Sequence, residues 1–274
     1  MSAAPAEPRA AWVEVPAAPR WWRILPSRVL TFWRVELWRI RHDQQELVTR
    51  AIQPALWLLI FGETFTRLRA IPTGNVPYLD FLAPGIIAQS GLFVAIFFGI
   101  QIIWERDAGV LTKLLATPTP RAALVSGKAF AAGLRAAMQA VIVFVLSAIL
   151  RVGLDWNPLH LAAAIAIVVL GASFFSTLSV TIAGIVLSRE RLMGIGQAIT
   201  MPLFFGSNAL YPVHLMPVWL QALSAVNPLS YEVDALRVLL IDAPGRLGLD
   251  VAVLVVASAA GITVSAALLG RLAR

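Results

Sequence analysis

The sequence contains no cysteine. Disulfides, thiolate zinc sites, iron–sulfur clusters and thiol catalysis are therefore excluded. Its three histidines, His42, His160 and His214, lie far apart with no metal-ligand spacing around any of them, so no metal site is expected. Charge is scarce as well. Asp, Glu, Lys and Arg make up 14% of the chain, against roughly 25% in soluble domains. A phosphate-binding loop is missing. The nearest match is Ser126-Gly127-Lys128, but Ala122 stands where the loop needs its earlier glycine and Ala129 where it needs Ser or Thr. No HExxH motif occurs, and no Ser/His/Asp arrangement rises above chance. Glu232 and Asp234 are two residues apart and would diverge on a helix. No catalytic residue, no enzyme activity and no cofactor bound by this chain are expected.

What the chain does have is apolar sequence. It is 59% hydrophobic, which a water-soluble surface could not accommodate. The first residues, 1–23, are Ala/Pro-rich and read as a disordered cytoplasmic tail, with no signal peptide. Residues 24–48 mix Val29, Phe32, Trp33, Leu37 and Ile40 with Arg34 and Arg41 at helical spacing. This predicts an amphipathic helix in the membrane interface; packing on protein is the alternative. Residues 49–274 then form the transmembrane domain. Six spans are expected, at about Ala51–Phe65, Phe81–Ile103, Ala129–Leu150, Leu161–Leu187, Met193–Asn208 and Val251–Gly270. The fold class is all-α integral membrane. Gly91, Ala95 and Gly99, and again Ala257, Gly261 and Ser265, repeat at four-residue spacing and predict close helix packing. Glu63 and Arg67 should pair on one helix face, and Arg135 should snorkel towards the interface.

Two segments between the spans stand out. Residues 104–128 are too polar for lipid and predict a short surface helix stopped by Pro118 and Pro120. Residues 209–250 are apolar yet interrupted by Pro212, Pro217 and Pro228, which predicts a re-entrant, broken helical segment before the last span. Within it Asn227-Pro228 reads as a helix cap, and Asp234 and Arg237 as a pair. Net charge is +7, and the basic residues sit between or beside apolar runs. That points to topology and not to nucleic acid. With the N-terminus inside, inner segments hold sixteen Lys/Arg and outer ones five, so both termini are expected in the cytoplasm.

On these residues the chain resembles the membrane subunits of ABC-2 type exporters, near the daunorubicin-resistance permease group. The six-span layout carries this over nearly the whole length. Two motifs add to it: Glu105-Arg106-Asp107-Ala108-Gly109-Val110-Leu111 followed by Leu114-Leu115-Ala116-Thr117-Pro118, and Asn227-Pro228-Leu229-Ser230-Tyr231 followed by Asp234-Ala235-Leu236-Arg237. The resemblance implies a homodimer of permeases in the cell inner membrane with two separate ATPase subunits, which would hold ATP and Mg. Residues 104–128 would carry the coupling helix, with Leu111, Leu114 and Leu115 docking while Glu105, Arg106, Asp107 and Lys113 fix register and Gly109, Thr117 and Pro118 shape the turns. Phe93, Phe97, Phe98, Phe204, Phe205 and Asn208 would line the export path, although each aromatic could equally face lipid or core. Tyr211, Pro212, Asn227, Pro228, Tyr231, Asp234 and Arg237 would form an outer cap. The implied function is ATP-driven export of amphipathic drug-like or lipid compounds. Export of a polysaccharide or glycolipid is the alternative, disfavoured because the spans offer few polar side chains. A non-transporting scaffold is the second alternative.

Overall fold

A computed structural model of the chain describes residues 49, 52–68, 71–74, 76–115 and 121–272. The tail and the interfacial helix expected at 1–48 lie outside the described residues, as do Thr117 and Pro118. The described residues form helices and turns, with no strand among them.

Helix α1 covers residues 52–68. Its middle, Trp57–Gly62, is wound as a π-helix, and Trp57 stacks on Phe61 there at 4.3 Å. Glu63 and Arg67 pair at 3.7 Å across one turn. The second expected span is made of α2, Tyr78–Ile96, and α3, Phe98–Asp107, which meet at Phe97. A short α4, Val110–Leu115, follows. Helix α5, Arg121–Ile149, begins well before the Ala129 expected from apolarity. Its first two turns carry Arg121, Ser126 and Lys128 among apolar residues and are still helical, because helix hydrogen bonding does not stop where the uncharged run does.

Helix α6, Pro158–Val186, starts where Asn157 Oδ1 accepts the Leu159 amide at 3.0 Å and proline takes the first helical position. It ends at Leu187, whose φ of 56° lies in the left-handed region. Helix α7, Arg189–Phe205, contains Pro202 and stops three residues later. A 3₁₀ turn at Val213–Leu215 separates it from α8, Val218–Val226. Then come α9, Pro228–Ile241, and α10, Leu247–Leu272.

By length and composition four helical stretches among the described residues could cross a membrane: Tyr78–Asp107, Arg121–Ile149, Pro158–Val186 and Leu247–Leu269. The expected first and fifth spans fall at α1 and α7. Both are helical, but α7 has 17 residues and a spanning helix needs about 20. Among the described residues four stretches meet this criterion, where the apolar runs suggest six spans.

Helix α6 is the hub. It packs against α5, α10, α2, α9 and α3. The small-residue faces lie at these contacts. Gly99 lies against the backbone of Ser179, and Gly261 lies against Thr177. Ser265 Oγ donates to Thr177 O at 2.8 Å. Such contacts let backbones approach closely, which replaces the hydrophobic driving force that lipid removes. The layers differ in burial: the central window of α2–α3 is 78% buried within the chain and that of α10 only 17%. Helix α10 therefore shows most of its surface outward.

Candidate functional site

Three groups of side chains stand out, one at each end of the bundle and one between.

The first is at the end where α3, α5, α6 and α7 terminate. Lys128 of α5 forms an ion pair with Glu105 of α3. Asp107 bridges two arginines, Arg106 at 2.8 Å and Arg189 at 2.6 Å. Arg106 also donates to Leu187 O at 3.0 Å, and Arg189 lies over the Trp104 ring at 4.5 Å. Gly109 turns the chain between α3 and α4 with φ of 70°, which costs a residue with a Cβ more than glycine. These contacts join four helix ends into one surface.

This geometry changes the expected role of one of the loop's leucines. Leu111 is 1% exposed and packs inside the chain with Ile102, Leu124, Val125, Val180 and Leu269. It anchors α4 and is not available to dock anything. Periodicity could place it on an apolar stripe but could not say what lay opposite. Leu114 is half-buried, and Leu115 continues α4. Among the described side chains here, Trp104, 59% exposed, and Val110, 43% exposed, face outward. Lys113 is exposed beside them.

The second group lies at the opposite end. Arg237 of α9 is buried. It donates to Asn208 O at 2.7 Å, Ala209 O at 3.3 Å and Phe81 O at 3.3 Å. Its guanidinium lies 3.6 Å above the Phe81 ring. Asp234 is 3.9 Å away, one turn earlier on α9. The expected pair therefore exists, but backbone carbonyls are the main partners. Asp234 instead accepts from Asn208 Nδ2 at 2.5 Å. Asn227 caps α9 through the Leu229 amide and donates to Leu203 O at 2.7 Å. Tyr211 and Tyr231 donate to Phe205 O and Ala225 O. Pro212 precedes the 3₁₀ turn, and Pro228 opens α9. The residues expected as an outer cap thus tie the segment after α7 to α9 and to the start of α2.

Nearby, the loop after α5 is fastened by Asp80, which accepts the Gly153 amide at 2.8 Å. Asp155 accepts the Asn157 amide and contacts His160. Those hydrogen bonds hold its carboxyl below the usual aspartate range.

Sequence reasoning considered Glu232 only as a partner for Asp234 and did not foresee its burial. It is 0% exposed, and neither carboxylate oxygen has a hydrogen-bond partner among the described residues. The carboxylate fits against Gly171 of α6, with Gly91 of α2 close by. A methyl on Gly171 would overlap it. An ionised group in such a place would be heavily penalised. The two glycines are 80 residues apart, so nothing local in the sequence announces this contact.

The third group lies between. A cavity of about 260 Å³ opens where α1, α2 and α5 meet, lined by Gln53, Gln89, Ser90, Phe93, Phe97 and Gln139 among others. The six path residues do not share it. Phe93 and Phe97 are there. Phe98 packs on Ala131 and Ala132 below Arg135. Phe204 is buried against Trp57, Phe205 is exposed beside it, and Asn208 belongs to the Arg237 group. Arg135 turns to the Phe98 ring at 5.5 Å.

The chain is similar to known permeases over most of its length. The ycf38 protein of Porphyra purpurea, named as a transport permease, is 30% identical over 210 residues, 74% of this chain and 69% of that protein. The daunorubicin resistance ABC transporter permease protein DrrB1 of Streptomyces coeruleorubidus is 26% identical over 242 residues, 87% and 84% of the two chains. Nodulation protein J of Rhizobium leguminosarum bv. viciae is 27% identical over 200 residues, 72% and 76%. The family model of ABC-2 type transporters matches residues 27–241. That match takes in every helix from α1 to α9 and both tied ends, and with four apolar crossing helices it places the chain as a multi-pass membrane permease of the ABC-2 type transporter family.

Proposed function

We propose that this chain is the transmembrane subunit of an exporter driven by ATP hydrolysis in a separate ABC ATPase. Two copies of the chain would pair in the cell inner membrane with two ATPase subunits, both termini inside. ATP and Mg would be held by the ATPase. The cargo class is an amphipathic drug-like or lipid compound carried outward.

The observation that carries this reading is the tied end around Asp107. A motor's push must reach several helices at once. Asp107 joins α3 to α7 through Arg189, Arg106 joins α3 to the end of α6, and Lys128 joins α5 to Glu105. The exposed Trp104, Val110 and Lys113 offer a partner an apolar contact and a charge on that same surface. Displacing this patch would move four helices together, which suits alternating access. The Arg237 group would serve as the outer cap that the movement opens.

The test is gentle purification from native membranes, followed by an ATPase assay on what accompanies the chain. A stoichiometric subunit with a phosphate-binding loop, stimulated by amphipathic compounds, is expected. A lone chain in several mild detergents would contradict the proposal and favour a scaffold.

A further inference from the structure

We infer that a groove between α5 and α6 seats one acyl chain of a phospholipid whose phosphate pairs with Arg151. This lipid is a resident of the permease's flank and not its cargo, so the site stands whether or not the chain exports.

The groove has a volume of about 500 Å³. One wall is a stripe of α5: Val141, Phe144, Val145, Ala148 and Ile149. Their spacing of three and four residues puts them on one face. Leu161 and Ile165 of α6 form the other wall. Every lining side chain is apolar or aromatic. Val141, Val145 and Ile149 are 44%, 55% and 70% exposed, which water would penalise and lipid would not. Length selects the occupant. Val141 and Ile149 are eight residues apart, about 12 Å along a helix. One leaflet is half of a hydrocarbon core roughly 30 Å thick. The groove thus runs most of one leaflet and not both. A partner's spanning helix would need the full thickness, whereas an acyl chain needs one leaflet. The groove ends at Trp156, and tryptophan favours the head-group level.

A positive charge stands at that same end. Helix α5 closes in a left-handed turn, where the Val152 amide donates to Ser147 O at 2.9 Å and the Arg151 amide to Ala148 O at 3.1 Å. Arg151 takes the left-handed position with φ of 56°. Helices that end this way usually place glycine there. An arginine kept in a conformation that suits glycine better points to a use for its side chain. Arg151 is exposed and has no ion-pair partner among the described residues. The carboxylates nearby are engaged elsewhere. Asp80 accepts the Gly153 amide, and Asp155 accepts the Asn157 amide and contacts His160. A guanidinium holds a phosphate through two parallel N–H bonds. A chain in the groove would bring its phosphate to the level of Trp156, two residues past which α6 begins.

The test is native mass spectrometry of the full chain released from dodecyl maltoside micelles. The probes are dioleoyl phosphatidylglycerol, dioleoylglycerol, which lacks the phosphate, and glycerophosphoglycerol, which lacks the chains. One phosphatidylglycerol per chain is expected, bound about fivefold tighter than dioleoylglycerol, which is what one arginine beside lipid phosphate supplies. Glycerophosphoglycerol should not bind. Arg151→Gly should remove the preference for the phosphate and leave the melting temperature in micelles unchanged or raised, because glycine suits the left-handed turn. An arginine with only a structural role would lower it. Ala148→Trp fills the groove, keeps Arg151 and should abolish lipid binding; it decides the matter if Arg151→Gly fails to fold. Equal affinity for dioleoylglycerol, binding of the head group alone, or unchanged binding by both variants would overturn the assignment. Ala148→Trp that splits a dimer and leaves lipid binding intact would also overturn it and give the groove to a second copy of the chain.

Discussion

The two ends of the bundle are both held by arginines, but in different ways. Arg237 is buried, stacked on Phe81 and aimed at three backbone carbonyls. Arg106 and Arg189 are partly exposed and share one exposed carboxylate, Asp107. Water competes for every contact of the second kind and for almost none of the first. Exposed ion pairs contribute little to stability, whereas a buried charge that loses its partners is strongly destabilising. One end is therefore held by contacts that water can hardly replace, and the other by contacts that an arriving partner could re-pair.

The largest effect that would break this contrast is expected at Arg237. Arg237→Leu removes the donor that three backbone carbonyls share and the buried counter-charge of Asp234, and the expected cost is on the order of 3 kcal/mol. It should appear as a clear fall in melting temperature in detergent. Next comes the contact of Glu232 with Gly171. Gly171→Ala should cost about 1–3 kcal/mol by overpacking, and adding Glu232→Ala should recover much of it. Strictly additive costs in that double-mutant cycle would mean the two positions do not touch. Asp107→Asn should leave the melting temperature nearly unmoved and still reduce ATPase activity coupled to cargo. Equal losses of stability at Asp107 and Arg237 would erase the contrast.

The smallest effect concerns pH. The Asn157 amide and His160 hold the Asp155 carboxyl below its ordinary value. Its contribution is thus present above the unfolded aspartate value of about 3.9 and is lost as pH falls through the lower folded value. Asp155→Asn should flatten acid sensitivity of the loop only below about pH 4, read by hydrogen exchange at residues 151–157. Any change nearer neutral pH would assign the titration to another group.

Much of the skeleton was legible in the sequence. Asn157-Pro158 and Asn227-Pro228 announce their helix starts because a cap acts within three residues. Glu63 with Arg67 and Asp234 with Arg237 are one turn apart, so spacing alone brings them together. Contacts between helices were not legible. Glu105 with Lys128, Arg237 with Phe81 and Glu232 with Gly171 depend on register between elements far apart in the chain. Leu111 shows the same limit: its stripe was visible, but not that α5, α6 and α10 already cover it. The cavity was half legible. Phe93 and Phe97 were marked as path residues, but Gln89 and Gln139 were lost in long apolar runs.

The central claim is that the exposed surface from Trp104 to Lys113 receives the ATPase while its neighbour Leu111 only anchors it. The most direct measurement compares Val110→Asp with Leu111→Asp, reading melting temperature and ATPase co-purification for each. Val110→Asp should fold as the unaltered chain does and lose the ATPase. Leu111→Asp should melt at markedly lower temperature, since it buries a charge without a partner. A stable Val110→Asp chain that keeps its full complement of ATPase would contradict the account.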